Sequence, residues 1–184
     1  SLKFFTAIAD HLTRCGAEVR FDQWEGHAKH DPAASKDLLD WAETIICEWA
    51  LGNAVWYSHN RQPRHRLIVR LHRMELETHF PGEIAIDAVD RVVFVSERFR
   101  DKAVGQYGWP DDKLQVVSNW VDTVMLDRPK LPGAEFHLGM LGWLPTRKRL
   151  DRALDTLELL AAEDDRWRLY LGGMMPWELR WVWQ

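Results

Sequence analysis

The chain has 184 residues, and its 46% of hydrophobic and 28% of charged residues exclude a disordered or fibrous protein and favour a globular one. Its formal net charge of −4 argues against a duplex nucleic acid as the partner, because proteins of that class present a basic face. No apolar run reaches the roughly 18 residues that a membrane-spanning helix requires.

The first 122 residues alternate between helical and strand-like patterns. A helical stripe of apolar residues begins at Leu2 and ends at Gly16, and an alternating run at Val19–Phe21 predicts a strand that a polar stretch follows. Further strands are predicted at 44–47, 67–71, 91–95 and 114–117, with helices over 52–61 and from 97 to about 103. This alternation predicts βαβ units with a parallel sheet.

A second set of elements follows a segment that lacks periodicity. Residues 123–135 carry two prolines and a glycine, and we interpret them as an interdomain linker. The pattern restarts with a strand at 136–141, an amphipathic helix from Leu150, and a strand at 168–171 that Gly172 and Gly173 close. We expect an N-terminal domain over 1–122 and the start of a second domain over 136–184.

The only cysteines, Cys15 and Cys47, are far apart and lack the spacing of metal ligands. Each lies in an apolar run, so both are predicted to be buried free thiols, as expected in a reducing cytoplasm. No metal site is predicted from them.

Ligands of open α/β sheets collect at the carboxyl ends of the strands. The residues directly after the predicted strands are therefore the first candidates for a functional site. They are Glu48, His72, Ser96, Asn119, Gly142 and Gly172.

Three consecutive cations, Arg147, Lys148 and Arg149, are predicted to open the helix that follows Gly142. This placement opposes the helix dipole, whose N-terminal end is already positive. A bound anion would reverse the effect, because free N–H groups, the dipole and the side-chain cations would converge on one phosphate. The alternative is a solvated basic turn that pairs with acids elsewhere.

Three segments in order give the sequence a family resemblance: DRVVFVSERFRDKAV (90–104), VVSNWVD (116–122) and LGMLGWLPTRKRLDRALDTLELLAAEDDRWRLYLGG (138–173). Together they resemble the retaining GT-B glycosyltransferases of family 4. The resemblance implies an α/β fold of two Rossmann-like domains with parallel sheets, the second incomplete here, facing each other across a cleft. The first domain would bind the acceptor and the second the nucleotide sugar.

The resemblance also assigns residues to the donor phosphates. Lys148 takes the position of the lysine that neutralises the donor diphosphate, next to the loop glycine, Gly142. The family's arginine usually follows that glycine directly, where this chain has Trp143, so Arg147 is the expected substitute and Arg149 a further contact. Such cations stabilise the charge that grows on the leaving group in the transition state.

On the acceptor side, His72 takes the position of a histidine that faces the reacting sugar, and it is the second predicted catalytic residue beside Lys148. Glu48, Arg70 and Glu75 are the predicted acceptor-binding residues. Glu75 could orient the imidazole or bind acceptor hydroxyls, or it could be a plain surface carboxylate.

The expected function is transfer of a sugar, with retention, from a nucleotide-diphosphate donor to a glycan or lipid-linked acceptor, in cell-surface polysaccharide synthesis. The nucleotide sugar is a substrate, and no cofactor, metal or nucleic acid is expected. The expected location is the cytoplasm, with peripheral association at the inner face of the membrane left open.

Two alternatives remain: a non-catalytic GT-B-like domain that binds glycan or scaffolds a synthase, and a sugar-nucleotide epimerase. A nicotinamide dehydrogenase is disfavoured, because no GxGxxG motif follows a predicted strand. The family's first glycine-rich turn and its paired glutamates are absent from the 184 residues, so we expect this length of chain alone to be inactive.

Overall fold

A computed structural model describes residues 5–144 and 146–173 of the protein, without the side chain of Arg147. The chain divides after Val121 into two compact units, Ser1–Val121 and Asp122–Gln184. Residues 174–184, the end of the predicted second domain, lie outside the described residues.

The N-terminal unit is built on a four-stranded sheet in the order β1-β2-β3-β4, with every neighbouring pair parallel. The strands are β1 (Thr44–Cys47), β2 (Arg66–Leu71), β3 (Arg91–Phe94) and β4 (Leu114–Val116). Because all four strands run in the same direction, their carboxyl ends lie at one edge of the sheet. The prediction of a parallel α/β sheet is confirmed.

Helices connect and flank these strands. The helices of the N-terminal unit are α1 (Thr6–Arg14), α2 (Pro32–Trp41), α3 (Gly52–Asn60), α4 (Phe80–Glu83) and α5 (Glu97–Tyr107). Short 3₁₀ turns at Met74–Glu77, Ile86–Ala88 and Asp111–Lys113 complete the connections.

The core of this unit lies around the two central strands, as their apolar runs predict. Leu67, Val69 and Leu71 of β2 and Val92 and Phe94 of β3 are fully buried. The helices and loops contribute Leu39, Ala54, Tyr57, Ala103 and Trp109 to the same cluster. Burial of each large apolar side chain contributes roughly 1.5–3 kcal/mol, so this cluster is the main source of stability in the unit.

One strand prediction in the N-terminal unit is wrong, and one helix has no counterpart among the sequence predictions. Val19–Phe21 joins no sheet, since alternation predicts an extended chain but not a neighbouring strand to pair with it. The polar stretch before β1 contains α2, and the sequence does carry residues typical of a helix start there. The Asp31 carboxylate caps the helix by accepting from the backbone N–H groups of Ala33 and Ala34 (2.9 and 3.2 Å), and Pro32 is the first helical residue.

The prediction of two buried thiols is half right. Cys47 is buried in β1, and burial raises the pKa of its thiol. Cys15 is exposed, because α1 ends at Arg14 and Cys15 lies just beyond the helix, at its C-cap.

The C-terminal unit contains a two-stranded parallel sheet of β5 (His137–Leu141) and β6 (Arg168–Gly172), connected through α7 (Leu150–Glu163). A short helix, α6 (Thr123–Leu126), and a 3₁₀ turn at Ala134–Phe136 precede the sheet. Among the described residues of this unit, none reaches the burial of the N-terminal core, and Leu141 is 85% exposed.

The start of α7 differs from the prediction. Thr146–Lys148 forms a separate 3₁₀ turn, and Arg149 then adopts a left-handed conformation (φ 59°) before the helix begins at Leu150. Arg147 and Lys148 therefore precede the helix instead of opening it. None of the helices over 5–144 and 146–173 is long and apolar enough to cross a membrane.

Candidate functional site

Three predicted site residues of the N-terminal unit meet at the carboxyl ends of β1 and β2. Glu48 directly follows β1, Arg70 lies near the end of β2, and His72 directly follows β2. The parallel register pairs Cys47 with Val69, which brings these two strand ends side by side. All three side chains are more than nine-tenths buried.

Arg70 is the cation at the centre of this cluster. Its Nη1 donates to both carboxylate oxygens of Glu48, at 2.9 and 3.1 Å, and its Nη2 donates to the Oδ1 atom of Asn119 at 2.5 Å. Asn119 follows β4, so the guanidinium connects the ends of three strands. A buried carboxylate is stable only when it is paired and hydrogen-bonded, and Arg70 fulfils both conditions for Glu48.

His72 completes the cluster on the other side of Glu48. Its Nε2 lies 3.2 Å from the Oε1 atom of Glu48, and its ring stacks on Trp49 with centroids 4.4 Å apart. Glu48 thus contacts the Nε2 edge of the imidazole and Trp49 covers one of its faces.

Glu75 lies beneath the same strand ends, in the 3₁₀ turn that follows β2, and is fully buried. Its Oε1 accepts from the backbone N–H groups of His72 (3.0 Å) and Ala50 (3.3 Å). These contacts place Glu75 inside the unit, bonded to main chain, so it is not a surface carboxylate.

A cavity of about 1050 Å³ lies beside the cluster, within the N-terminal unit. Its walls are the free edge of β1 with the residues after it and the extended segment 16–24. Glu48 lines this cavity, next to Trp49 and Asn53. The other clustered residues, Arg70, His72 and Glu75, are not part of its lining. A ligand in the cavity would therefore approach Glu48 first.

A second polar cluster on this cavity has no counterpart in the sequence predictions. The Oδ2 atom of Asp22 accepts hydrogen bonds of 2.7 Å from Trp24 Nε1, Ser35 Oγ and Tyr57 Oη. Burial and the bond to Asp22 raise the pKa of Tyr57. Trp24 is two residues from Asp22, but Ser35 and Tyr57 are 13 and 35 residues away and share no pattern with it, so the sequence contains no signal for the cluster.

Ser35 also contacts the Nδ1 atom of His30 at 2.7 Å, a pair that resembles a nucleophile and its base. The geometry argues otherwise, because the Ser35 hydroxyl donates to Asp22 and its side chain is fully buried. A nucleophile has to reach the substrate with its proton directed to the base. This serine therefore serves the packing of α2 against Asp22.

In the C-terminal unit, the predicted glycines form an open backbone surface where β5 and β6 end. Gly142 has φ +70° and Gly173 has φ +141°, both conformations that favour glycine. A Cβ on Gly173 would lie 3.3 Å from the Cα atom of Gly142, so the two turns are in close contact.

Lys148 lies beside this glycine surface. Its Cε is 3.9 Å from the position that a Cβ on Gly142 would occupy. No residue within 5–144 and 146–173 forms a salt bridge or a hydrogen bond with its ammonium group. An unpaired cation next to bare backbone, where parallel strands end, is suited to an anionic ligand.

The other two cations of the triplet differ from Lys148. Arg149 is paired with Asp151 through bonds from Nε and Nη2 (2.6 to 3.1 Å), and this pairing lowers the pKa of Asp151 to about 2. Arg147 lies in the 3₁₀ turn, and its side chain is outside the described part of the chain. Of the predicted phosphate ligands, Gly142 and Lys148 thus lie together in the structure, whereas Arg149 is paired with Asp151.

Within the described residues, no group of histidine, cysteine or acidic side chains is arranged to hold a metal ion. In comparisons with known proteins, the chain matches no family model, and no curated protein is significantly similar to it.

Proposed function

We propose that the protein acts as a retaining glycosyltransferase of the GT-B type, which moves a sugar from a nucleotide-diphosphate donor to a hydroxyl group of a glycan or lipid-linked acceptor. The observation that carries the proposal is the Lys148 ammonium beside the Gly142 turn, which has no partner in the part of the chain that the structure describes. A parallel sheet with a glycine turn and a cation at its carboxyl end is a recurrent arrangement for binding phosphate.

The chemistry of the reaction explains why a cation belongs there. When the bond between the sugar and the diphosphate breaks, negative charge accumulates on the leaving phosphate oxygen. A fixed ammonium group stabilises that charge more in the transition state than in the ground state, and this difference is what accelerates the reaction. In the proposal, Lys148 supplies this charge and the Gly142 turn lets the phosphates approach the backbone.

The acceptor side of the proposal rests on Glu48. Within the described residues its Oε2 accepts one hydrogen bond, from Arg70, and the residue lines the large cavity, so an acceptor hydroxyl could donate to the remaining lone pair. His72 holds the other oxygen and remains the proposed contact to the reacting sugar. Arg70 is paired with Glu48 in this buried position and would bind the acceptor only through it.

A non-catalytic binding domain is the second candidate, and one observation favours it. Glu48, Arg70 and His72 satisfy most of one another's hydrogen-bonding groups, as expected of a buried structural network. Such a domain would bind a nucleoside diphosphate or a glycan without turning it over.

The test is equilibrium binding of UDP and GDP to the purified chain, with uridine and guanosine as ligands that lack the diphosphate. We expect binding that depends on the diphosphate and is at least tenfold weaker in Lys148→Ala, a loss of about 1.4 kcal/mol. Lys130→Ala is the matched control, because Lys130 lines a separate small pocket beside His137, at the opposite end of β5. Equal affinity in Lys148→Ala and the parent chain would refute the phosphate site.

A further inference from the structure

Glu75 has an unusual set of contacts for a buried carboxylate. It is 0% exposed, and both of its hydrogen bonds reach backbone N–H groups through the same oxygen, Oε1. Its other oxygen, Oε2, is buried and has no hydrogen-bond partner among the described residues. An unsatisfied buried oxygen is costly, so the arrangement of Glu75 calls for a structural explanation.

The two amides that Glu75 binds belong to the two strand exits that carry the cluster. Ala50 lies two residues after Glu48, and His72 is itself the first residue after β2. A single oxygen therefore joins the backbone that positions Glu48 to the backbone that positions the imidazole. The spacing between those two segments determines the 3.2 Å contact between Nε2 and the Glu48 carboxylate.

We propose that Glu75 is a positioning residue that holds the His72 imidazole against Glu48 by joining the exits of β1 and β2 through its Oε1 atom. The inference rests on the proposed function for its significance, since it deepens the acceptor side of that site. Its geometry stands independently of any ligand, and so does its test.

The two donors to Oε1 come from different elements. One is the segment just before α3, which begins at Gly52, and the other is the backbone directly after β2. The carboxyl group of Glu75 therefore holds together two segments that are 22 residues apart in the chain, counted from Ala50 to His72.

The experiment records the ring resonances of His72 by NMR in the full 184-residue chain, with the His72→Gln variant used to assign them. Glu48→Gln provides the reference spectrum for an imidazole that has lost its carboxylate partner. Glu75→Met removes the Oε1 acceptor while keeping the length of the side chain. We expect it to shift the His72 resonances most of the way to the Glu48→Gln positions.

Two controls separate positioning from general stability. Val92→Ala opens a space in the fully buried part of β3 and should destabilise the unit without moving the His72 resonances. Glu75→Gln keeps an oxygen acceptor for both amides and should leave the resonances near those of the parent chain. Rescue by this variant is expected only when the oxygen itself positions the ring.

The proposal is overturned if Glu75→Met leaves the His72 resonances unchanged, or if Val92→Ala moves them equally far. Should Glu75→Met fail to fold, Glu75→Asp decides the matter, because its shorter side chain withdraws the carboxyl group from both amides. Unchanged His72 resonances in that variant overturn the proposal. Equal affinity for UDP in Lys148→Ala and the parent chain, which would refute the phosphate site, would not affect any of these outcomes, so the two proposals can fail separately.

Discussion

Replacement of Arg70 by methionine should be among the most destabilising single changes in the N-terminal unit. The substitution retains the length of the side chain but removes the guanidinium that donates to Glu48 and Asn119. Glu48 would then be left as a carboxylate that is only 5% exposed, with His72 as its remaining partner. Loss of one partner from a buried ion pair costs about 3–5 kcal/mol.

That loss is large compared with the stability of a domain of this size. Small domains have a free energy of unfolding of roughly 5–15 kcal/mol. For a domain near the middle of that range, Arg70→Met would remove about a third or more of this free energy. The assay is urea unfolding of the chain, followed by far-UV circular dichroism, with the free energy obtained by linear extrapolation. The m-value should be unchanged if the variant unfolds from the same native state.

Arg73→Met is the matched control for this experiment. Arg73 lies three residues further on and pairs with Glu77, but both side chains are more than half exposed. An exposed pair of this kind contributes about 0–1 kcal/mol. In the double variant Glu48→Gln/Arg70→Met the buried charge is gone as well, so part of the stability should return. A loss below about 1 kcal/mol in Arg70→Met, equal to that of the control, would refute the argument that this cluster is a buried ion network.

Three further outcomes follow from the structure. Asp31→Ala should destabilise the N-terminal unit by about 1 kcal/mol in the same urea assay, because it removes the cap of α2. Gly173→Ala should accelerate hydrogen exchange of the β5 amides, because a side chain at φ +141° is strained and its Cβ would press on Gly142. Gly105→Ala is the control, since Gly105 lies at an open helical position and its replacement should not change this exchange. The Asp151 carboxyl should titrate near pH 2 by NMR and return toward 3.8 in Arg149→Ala. Because the pKa of Asp151 is lowered in the folded state, the stabilisation that this pair provides is complete above about pH 4 and is lost as the pH falls from about 4 to 2. A titration midpoint of Asp151 that is the same in Arg149→Ala as in the parent chain would contradict the pairing.

The strand ends of the N-terminal unit could be predicted from sequence because the signal there is local. Apolar runs of four to six residues that alternate with helical patterns specify parallel strands, and the residue after each run then has to lie at one edge of the sheet. Glu48 and His72 were found in this way. Their contact at 3.2 Å follows from the order β1-β2, which places consecutive strands next to each other.

The partners of those residues could not be predicted, because they depend on side-chain direction in three dimensions. Arg70 was expected to bind the acceptor, but its guanidinium is occupied by Glu48 and Asn119. For Glu75, the sequence leaves open whether the side chain orients the imidazole, binds hydroxyls or lies on the surface, and the structure shows that it is bonded to the backbone of His72 and Ala50. Spacing along the chain does not distinguish these arrangements.

The start of α7 could not be predicted for a different reason. Three cations precede a clear apolar stripe, and this pattern alone predicts one continuous helix from Arg147. The structure ends the 3₁₀ turn at Lys148 and uses the left-handed Arg149 to change direction before Leu150. Asp151 in the first turn of the helix then pairs with Arg149, which partly offsets the cost of that conformation.

The charges of the two units also indicate which ligand each one suits under the proposed function. In the N-terminal unit, the Arg70 guanidinium is occupied by Glu48, so an anion that approached it would have to displace a buried carboxylate. An acceptor hydroxyl meets no such competition, because it can donate to Glu48 without displacing Arg70. In the C-terminal unit, the Lys148 ammonium lacks an anionic partner among the described residues, and the adjacent Gly142 presents backbone without a side chain. The diphosphate therefore belongs with Lys148 and the neutral acceptor with Glu48, and this assignment predicts that Lys148→Ala weakens binding of UDP while Arg70→Met leaves it unchanged.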